Sequence, residues 1–139
     1  MGTSTDGILC YGIDLGEDVS ELPWNEKTDD WEDVYEDIDD WWAQINGCDY
    51  GVIGDYDLLC KWQEENPMPV DLVWHCSYEY PMYILAVVDT EITANRGCPE
   101  VVDIKPPDFK KVLDFNNFRD KYKIGVDEDP SWLLCSMWG

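Results

Sequence analysis

The sequence predicts an α+β domain in which a small, mostly antiparallel sheet of three or four strands is packed by two or three helices. Three observations lead to this fold class. Residues 30–46 carry apolar side chains at helical spacing, residues 80–88 form an almost continuous apolar run, and only a short gap separates that run from the apolar segment ending at Cys76. Such a gap favours an antiparallel pair, because parallel strands need a long crossover.

The other elements follow from shorter patterns. Residues 8–15 read ILCYGIDL between two glycines, which predicts a strand. A helix is predicted over residues 55–65, and Asn66-Pro67 ends it because a residue before proline disfavours the helical conformation. The remaining predicted elements are strands over 70–76 and 80–88 (the second buried on both faces), a continuation or short strand over 91–94, a helix over 108–122, and a strand or buried tail over 131–138.

The strongest helical pattern lies between Asp30 and Asn46, where apolar residues form a continuous stripe. Thr28, Asp29 or Asp30 can cap the start of this helix, and Gly47 follows its end. The opposite face is acidic, so we expect the helix to be stable only when its apolar stripe is docked. That stripe comprises Trp31, Val34, Tyr35, Ile38, Trp41, Trp42 and Ile45.

Composition narrows the class of protein. The chain has 139 residues, which predicts a single domain over 1–139 with residues 1–6 frayed. It carries 31 acidic and nine basic residues, a net charge of −22, and its aromatic fraction of 14% argues against a disordered acidic tail. So few cations make direct nucleic-acid binding implausible. No apolar run is long enough to span a membrane, and no signal peptide is visible, so we expect a cytoplasmic protein.

The charge is concentrated in one stretch of the chain. Residues 14–65 hold 18 acids and two lysines, and eight of those acids fall between Asp29 and Asp40. Along a helix, that spacing approaches the linear charge density of DNA, so the face predicts a mimic of nucleic acid that binds a basic surface on a nucleic-acid-binding protein. The predicted partner-binding residues are Glu32, Asp33, Glu36, Asp37, Asp39 and Asp40, with Asp18 and Trp24 on the adjoining loop.

No catalytic, metal or cofactor site is predicted. The six cysteines have no zinc-type spacing, and the single histidine, His75, cannot complete a Cys2His2 set. Neighbouring strand residues face opposite sides, so His75 and Cys76 do not predict a dyad. We expect the cysteines to be reduced thiols and the protein not to be an enzyme.

Two alternatives stay open at this point. One is a small-molecule or nucleotide-signal binding protein with a pocket near His75 and Arg96, where Arg96 is the only cation between Lys61 and Lys105. The other is a protein whose acidity serves solubility alone, although −22 exceeds the magnitude of roughly 2–8 that suffices for a small domain.

Three segments resemble a group of small acidic proteins of tailed bacteriophages and prophages. They read GILCYGIDLG at residues 7–16, HCSYEYPMYILA at 75–86 and ANRGCPEVV at 94–102. The group has no established activity, so no functional residue transfers from it. The resemblance implies a phage-encoded accessory protein acting in the cytoplasm of a bacterial host. By analogy of class, it favours an inhibitor of host defence, of the anti-CRISPR or anti-restriction type, or a sponge that counters host defence by binding a signal molecule.

Overall fold

The computed structural model of the protein describes residues 5–48 and 56–138. The chain forms two compact units. Met1–Val19 together with Pro69–Gly139 make up the first, which we call the sheet unit, and Ser20–Met68 make up the second, which we call the acidic unit. The acidic unit is inserted in the chain of the sheet unit.

Within its described residues, the sheet unit contains five strands and one long helix, which confirms the predicted α+β class with a mostly antiparallel sheet. Its strand count is five, higher than the three or four predicted, because the short segment after residue 91 forms a strand of its own. The strands are β1 (Thr5–Gly16), β2 (Val70–Ser77), β3 (Pro81–Val87), β4 (Ile92–Ala94) and β5 (Ser131–Trp138).

β1 begins earlier than expected. Thr5 and Asp6 pair with Trp138 and Met137 of β5, so the expectation that they fray is wrong for these two residues, since ladder hydrogen bonds hold them. Residues 1–4 lie outside the described residues. The expectation of a single domain over the whole chain stays a prediction.

The pairings of four strands form a closed circuit. β1 pairs antiparallel with β5 over its first eight residues and with β3 from Gly12 to Gly16. β2 and β3 form the antiparallel hairpin that the short gap predicts. β2 then meets β5 in parallel at two positions, Cys76 with Met137 and Ser77 with Trp138, and β4 adds to β1 alone.

The interior of this circuit follows the alternation of the strands. Ile8 and Cys10 of β1 pack with Val73 and with two alternate residues of β3, and Leu133, Cys135 and Met137 of β5 cover them. The intervening residues of β3, Leu85 and Val87, are fully buried too. Burial on both faces, which the sequence predicts for the whole run over 80–88, is therefore found from Ile84 to Val87, whereas Pro81–Tyr83 are half-buried.

The long helix packs against β3. We call it α3 (Phe109–Tyr122); the side chain of Asp108 caps its start, and Lys123 ends it in a left-handed conformation. Phe115 and Phe118 are its buried apolar residues, whereas Phe109 is exposed.

The acidic unit holds a 3-10 helix (Pro23–Asn25), α1 (Ile38–Ile45) and α2 (Tyr56–Glu65). Trp24 and Trp41 are buried, with ring centroids 5.6 Å apart. Ala43, Cys48 and Leu59 form a second small core. Within the parts of the chain that the structure describes, no helix is both long and apolar enough to cross a membrane.

Candidate functional site

The predicted helix over Asp30–Asn46 is half as long as expected, because its first part is a loop. Residues 26–34, which we call the acidic loop, fold back on themselves. The Thr28 amide donates to the Glu32 carbonyl over 2.8 Å, and the Val34 amide donates to the Glu26 carbonyl over 3.1 Å. The Glu32 amide donates to the Thr28 hydroxyl over 3.1 Å. These hydrogen bonds hold the loop in a defined conformation.

Trp31 stands at the tip of the acidic loop. Its amide donates to the Thr28 carbonyl over 2.9 Å, which closes a tight turn, and its φ of 62° lies in the left-handed region that a bulky residue rarely adopts. The side chain is 84% exposed. A large indole is thus held in solvent on a strained backbone, an arrangement that is concentrated at functional sites.

Acidic residues flank Trp31 on both sides in the sequence of the loop. Asp29, Asp30 and Glu32 are exposed, and among the described residues they form no ion pair. Asp33 is also exposed, but Lys27 binds its carboxylate. The loop therefore combines one flat aromatic surface with several solvated negative charges.

The charge of the whole acidic unit has little compensation. Ser20–Met68 contain fifteen acids and two lysines, a net charge of −13. Of the thirteen acids that the structure describes in this unit, twelve are exposed. Asp40 is the buried exception, at 7% exposure. Its carboxylate accepts hydrogen bonds of 2.9 Å from the Glu36 amide and the Gln44 side chain, so it has a structural role.

The structure separates the predicted partner-binding residues into groups. Glu32, Glu36 and Asp39 are exposed in the acidic unit. Asp37 is exposed and caps α1, and Asp33 is tied to Lys27. Trp24 offers a partner little surface at 4% exposure, and Asp18 belongs to the other unit.

Trp31 is the residue that the sequence pattern assigned to the wrong environment. Its spacing to Val34 and Ile38 fits a buried helical stripe, yet Trp31 and Val34 are both exposed. The available signal was the run Thr28-Asp29-Asp30, since these residue types favour turns as strongly as helix caps. We therefore add Trp31 to the candidate binding surface.

The residues of the alternative binding site lie apart. His75 contributes to a cleft of about 460 Å³ formed by β2, β3 and β5. Arg96 does not line this cleft; it is exposed, and its backbone amide donates to the Asp6 carboxylate over 3.3 Å. Among the described residues that line the cleft there is no lysine or arginine. The pocket that was expected to combine His75 with Arg96 is therefore not formed by these two residues.

The cysteines are free thiols, and two of them lie in the core of the sheet unit. Burial raises the pKa of Cys10 from 9.0 to about 12, with smaller contributions from the neighbouring Cys135 and Glu91. Burial is also the main reason why the pKa of Cys135 is raised. Both thiols therefore stay protonated at neutral pH and are poor nucleophiles.

Over residues 5–48 and 56–138, no group of three or more histidine, cysteine or acidic side chains is arranged to hold a metal ion. Comparisons of the chain with protein-family models, curated proteins and solved structures found no match.

Proposed function

We propose that this protein is a non-enzymatic inhibitor that binds a basic surface on a nucleic-acid-binding protein through its acidic unit. The observation that carries the proposal is the tip of the acidic loop, where the exposed Trp31 stands among the carboxylates of Asp29, Asp30 and Glu32. An aromatic ring beside several anions has the chemistry of a nucleotide, in which a flat base lies beside phosphates.

Electrostatics supports this choice of partner. A unit with a net charge of −13 attracts a positively charged channel and releases its counterions, as a nucleic acid does. Charge alone gives attraction at long range but little residence time. Trp31 supplies the contact that charge lacks, because tryptophan is the residue type most often found at the energetic centre of protein interfaces.

The setting that we propose is the cytoplasm of a bacterium, with the protein encoded by a phage. This part rests on the resemblance of residues 7–16, 75–86 and 94–102 to the phage group. A host defence effector that grips DNA or RNA, of the CRISPR or restriction type, has the basic channel that the acidic unit would occupy. Such effectors are therefore the first class of partner to test.

The structure gives less support to the two alternative functions. A sponge for nucleotide signals needs cations for the phosphates, and the His75 cleft has none among its described lining residues. A pure solubility role leaves the strained backbone and the 84% exposure of Trp31 without a purpose.

Capture from a nuclease-treated bacterial lysate tests the proposal. The bait is the tagged full chain, and the binding variant combines Asp29→Lys, Asp30→Lys, Glu32→Lys and Glu36→Lys. Among the described residues, none of these four carboxylates takes part in a hydrogen bond or an ion pair. The expected result is capture of a nucleic-acid-binding protein by the wild type, with elution that rises steeply with salt, and loss of that protein from the variant.

A matched control separates a local surface from total charge. Glu100→Lys, Asp114→Lys, Asp120→Lys and Asp127→Lys reverse four exposed acids of the sheet unit and change the net charge by the same amount. We expect this control to capture the same protein as the wild type. Equal loss of capture in both variants, or retention in both, would contradict a binding surface on the acidic unit.

A further inference from the structure

The connection between β4 and α3, residues 95–108, is long and open. After a turn in which the Cys98 amide donates to the Asn95 carbonyl over 2.9 Å, the chain runs to Asp108 without a further turn, bend or helix. Within residues 5–48 and 56–138, no hydrogen bond involves the backbone of residues 99–107. Ordered connections of this length without secondary structure are uncommon and usually have a binding or catalytic role.

The side chains in the middle of this connection suit a β-strand better than a solvated loop. Val101, Val102 and Ile104 are β-branched, and all three are exposed, Val101 completely. Prolines bound residues 100–105 on both sides, and between them every residue has a backbone N–H group. Residues 100–105 therefore have the side chains and the backbone groups of a strand that lacks a neighbour.

The segment is complementary to itself in one antiparallel register. When Ile104 lies opposite Ile104 of a second copy, Asp103 of each copy lies opposite Lys105 of the other. Alternation then places the opposite charges on one face and Ile104 with Val102 on the other. The neighbouring symmetric registers, centred on Val102 or Asp103, oppose Asp103 to Val101 or to itself. Charge complementarity therefore selects the register centred on Ile104.

The proline that follows Lys105 fits the same register. Opposite residues of an antiparallel pair alternate between hydrogen-bonded and non-hydrogen-bonded positions. With Asp103 and Lys105 at the hydrogen-bonded positions, Pro106 falls at a non-hydrogen-bonded one, where its missing N–H group is not needed. The Asp103 carboxylate and the Lys105 ammonium are already 3.2 Å apart within one chain, and both side chains are 76% exposed. Pairing of two copies completes a set of four alternating charges without burying any of them.

We propose that residues 102–106 of two copies pair as antiparallel strands about a two-fold axis at Ile104, which makes the protein a weak homodimer. A closed two-fold contact of this kind is the commonest symmetry of homo-oligomers. The paired surface is small, so we expect dimers at protein concentrations on the order of 0.1 mM. The pairing uses the sheet unit alone and goes beyond the proposed function.

Sedimentation velocity of the full chain, between about 0.01 and 1 mM, tests the proposal. Salt at about 0.2 M screens the long-range repulsion between two chains of charge −22, and a reducing agent prevents a disulfide between the exposed Cys98 thiols. The wild type should shift from monomer to dimer over this range. Asp103→Lys places two lysines opposite each other, and Lys105→Asp places two aspartates opposite each other. Each should weaken association by at least about tenfold.

Exchanging the two charges makes the test specific for the register. A variant that carries both Asp103→Lys and Lys105→Asp has the net charge of the wild type and should dimerise as the wild type does. An equimolar mixture of the two single variants should form a heterodimer. Asp127→Lys is the matched control, because it makes the same change in charge at an exposed acid outside the segment, and it should leave the dimer unchanged. All these positions are exposed, so the fold should persist.

Three outcomes would overturn the proposal. The first is a wild type that stays monomeric at the highest concentration, the second is single variants that dimerise as the wild type does, and the third is a double variant that stays monomeric. The charge-reversal variant of the acidic unit should form the same dimer as the wild type. Loss of partner capture with an intact dimer, or loss of the dimer with intact capture, therefore distinguishes failure of one proposal from failure of the other.

Discussion

The carboxylate of Asp37 accepts a hydrogen bond of 2.8 Å from the backbone amide of Asp40, and this bond sets the start of α1 at Ile38. The backbone of Asp37 is extended, with φ of −160°, so the chain turns into the helix only after this residue. The residues before Asp37, including Trp31, therefore lie outside the helix. The capping hydrogen bond of Asp37 thus marks the boundary between the loop and α1.

Asp37→Ala should destabilise the protein by about 1 kcal/mol, because the substitution removes the cap of α1. Thermal unfolding followed by circular dichroism measures the change. Glu64→Ala, at an exposed position near the end of α2, is the matched control and should change stability by less than about 0.5 kcal/mol. Equal effects of the two substitutions would show that the Asp37 bond does not hold the helix.

Trp31→Gly should leave the free energy of unfolding within about 0.5 kcal/mol of the wild type. Glycine relieves the left-handed backbone at φ 62°, which offsets its greater freedom in the unfolded chain, and the exposed indole contributes little packing. The same variant should lose the captured partner. Chemical denaturation and partner binding measured on one sample separate the two effects, and a large loss of stability would mean that Trp31 is a core residue after all.

The helical period of residues 30–46 could not reveal this break. Its apolar positions fit a single stripe whether or not the first half is helical, because periodicity carries no information on where a cap forms. Asp29, Asp30, Asp37 and Asp39 are all suitable caps by residue type. In the structure Asp37 is the residue that caps α1, and Trp41 of the same helix packs against Trp24.

Gly12→Ala should destabilise the sheet unit by at least about 2 kcal/mol. Gly12 lies where β1 passes from β5 to β3, and an added Cβ would meet the carbonyl oxygen of Leu85 and lie 2.7 Å from Cα of Ala86. Backbone atoms cannot move aside as a flexible side chain can. Gly7→Ala is the control on the same strand, where the nearest atom is 4.0 Å away, and it should fold normally. Similar unfolding midpoints for the two variants would exclude a close approach at Gly12.

Asp71→Asn should stabilise the protein at pH 7, on the order of 0.5 kcal/mol. Burial raises the pKa of Asp71 above its ordinary 3.8, and the charges of Asp89 and Glu91 add to this, although a backbone hydrogen bond from Asp89 opposes it. Because the folded-state pKa is the higher one, the charged carboxylate destabilises the fold at neutral pH. The advantage of asparagine should therefore disappear as the pH falls through the folded-state pKa to below 3.8. An advantage that grows on acidification would contradict the sign of this shift.

Cys10 should resist alkylation by iodoacetamide at pH 8 in the folded protein, whereas the exposed Cys98 should react. The cause is the pKa of Cys10, which burial raises to about 12. For the same reason, the stability that the neutral thiol contributes is present below pH 9 and is lost as the pH rises from 9 towards 12. Peptide mapping after labelling gives the answer, and rapid modification of Cys10 in native conditions would contradict its burial.

The order and type of the strands could be predicted because each carries its own signal. The run over residues 80–88 is almost continuously apolar, and the structure buries both faces of β3 from Ile84 to Val87. The closed circuit of pairings could not be predicted, since the parallel contact of β2 with β5 joins residues about 60 positions apart through only two pairs. The cleft beside His75 lies at that contact, and Arg96, which the sequence analysis grouped with His75, does not line it.

Competition with DNA for the captured partner tests the central claim most directly. A fluorescent 20-base-pair duplex is bound to the purified partner, and its fluorescence anisotropy is followed as one of three proteins is added. These are the wild type, the acidic-unit variant (lysine at Asp29, Asp30, Glu32 and Glu36) and the sheet-unit control (lysine at Glu100, Asp114, Asp120 and Asp127). We predict that the wild type and the sheet-unit control release the duplex, with a potency that falls as salt rises, and that the acidic-unit variant does not. A stable complex of this protein, its partner and the duplex, with no release of DNA, would contradict nucleic-acid mimicry.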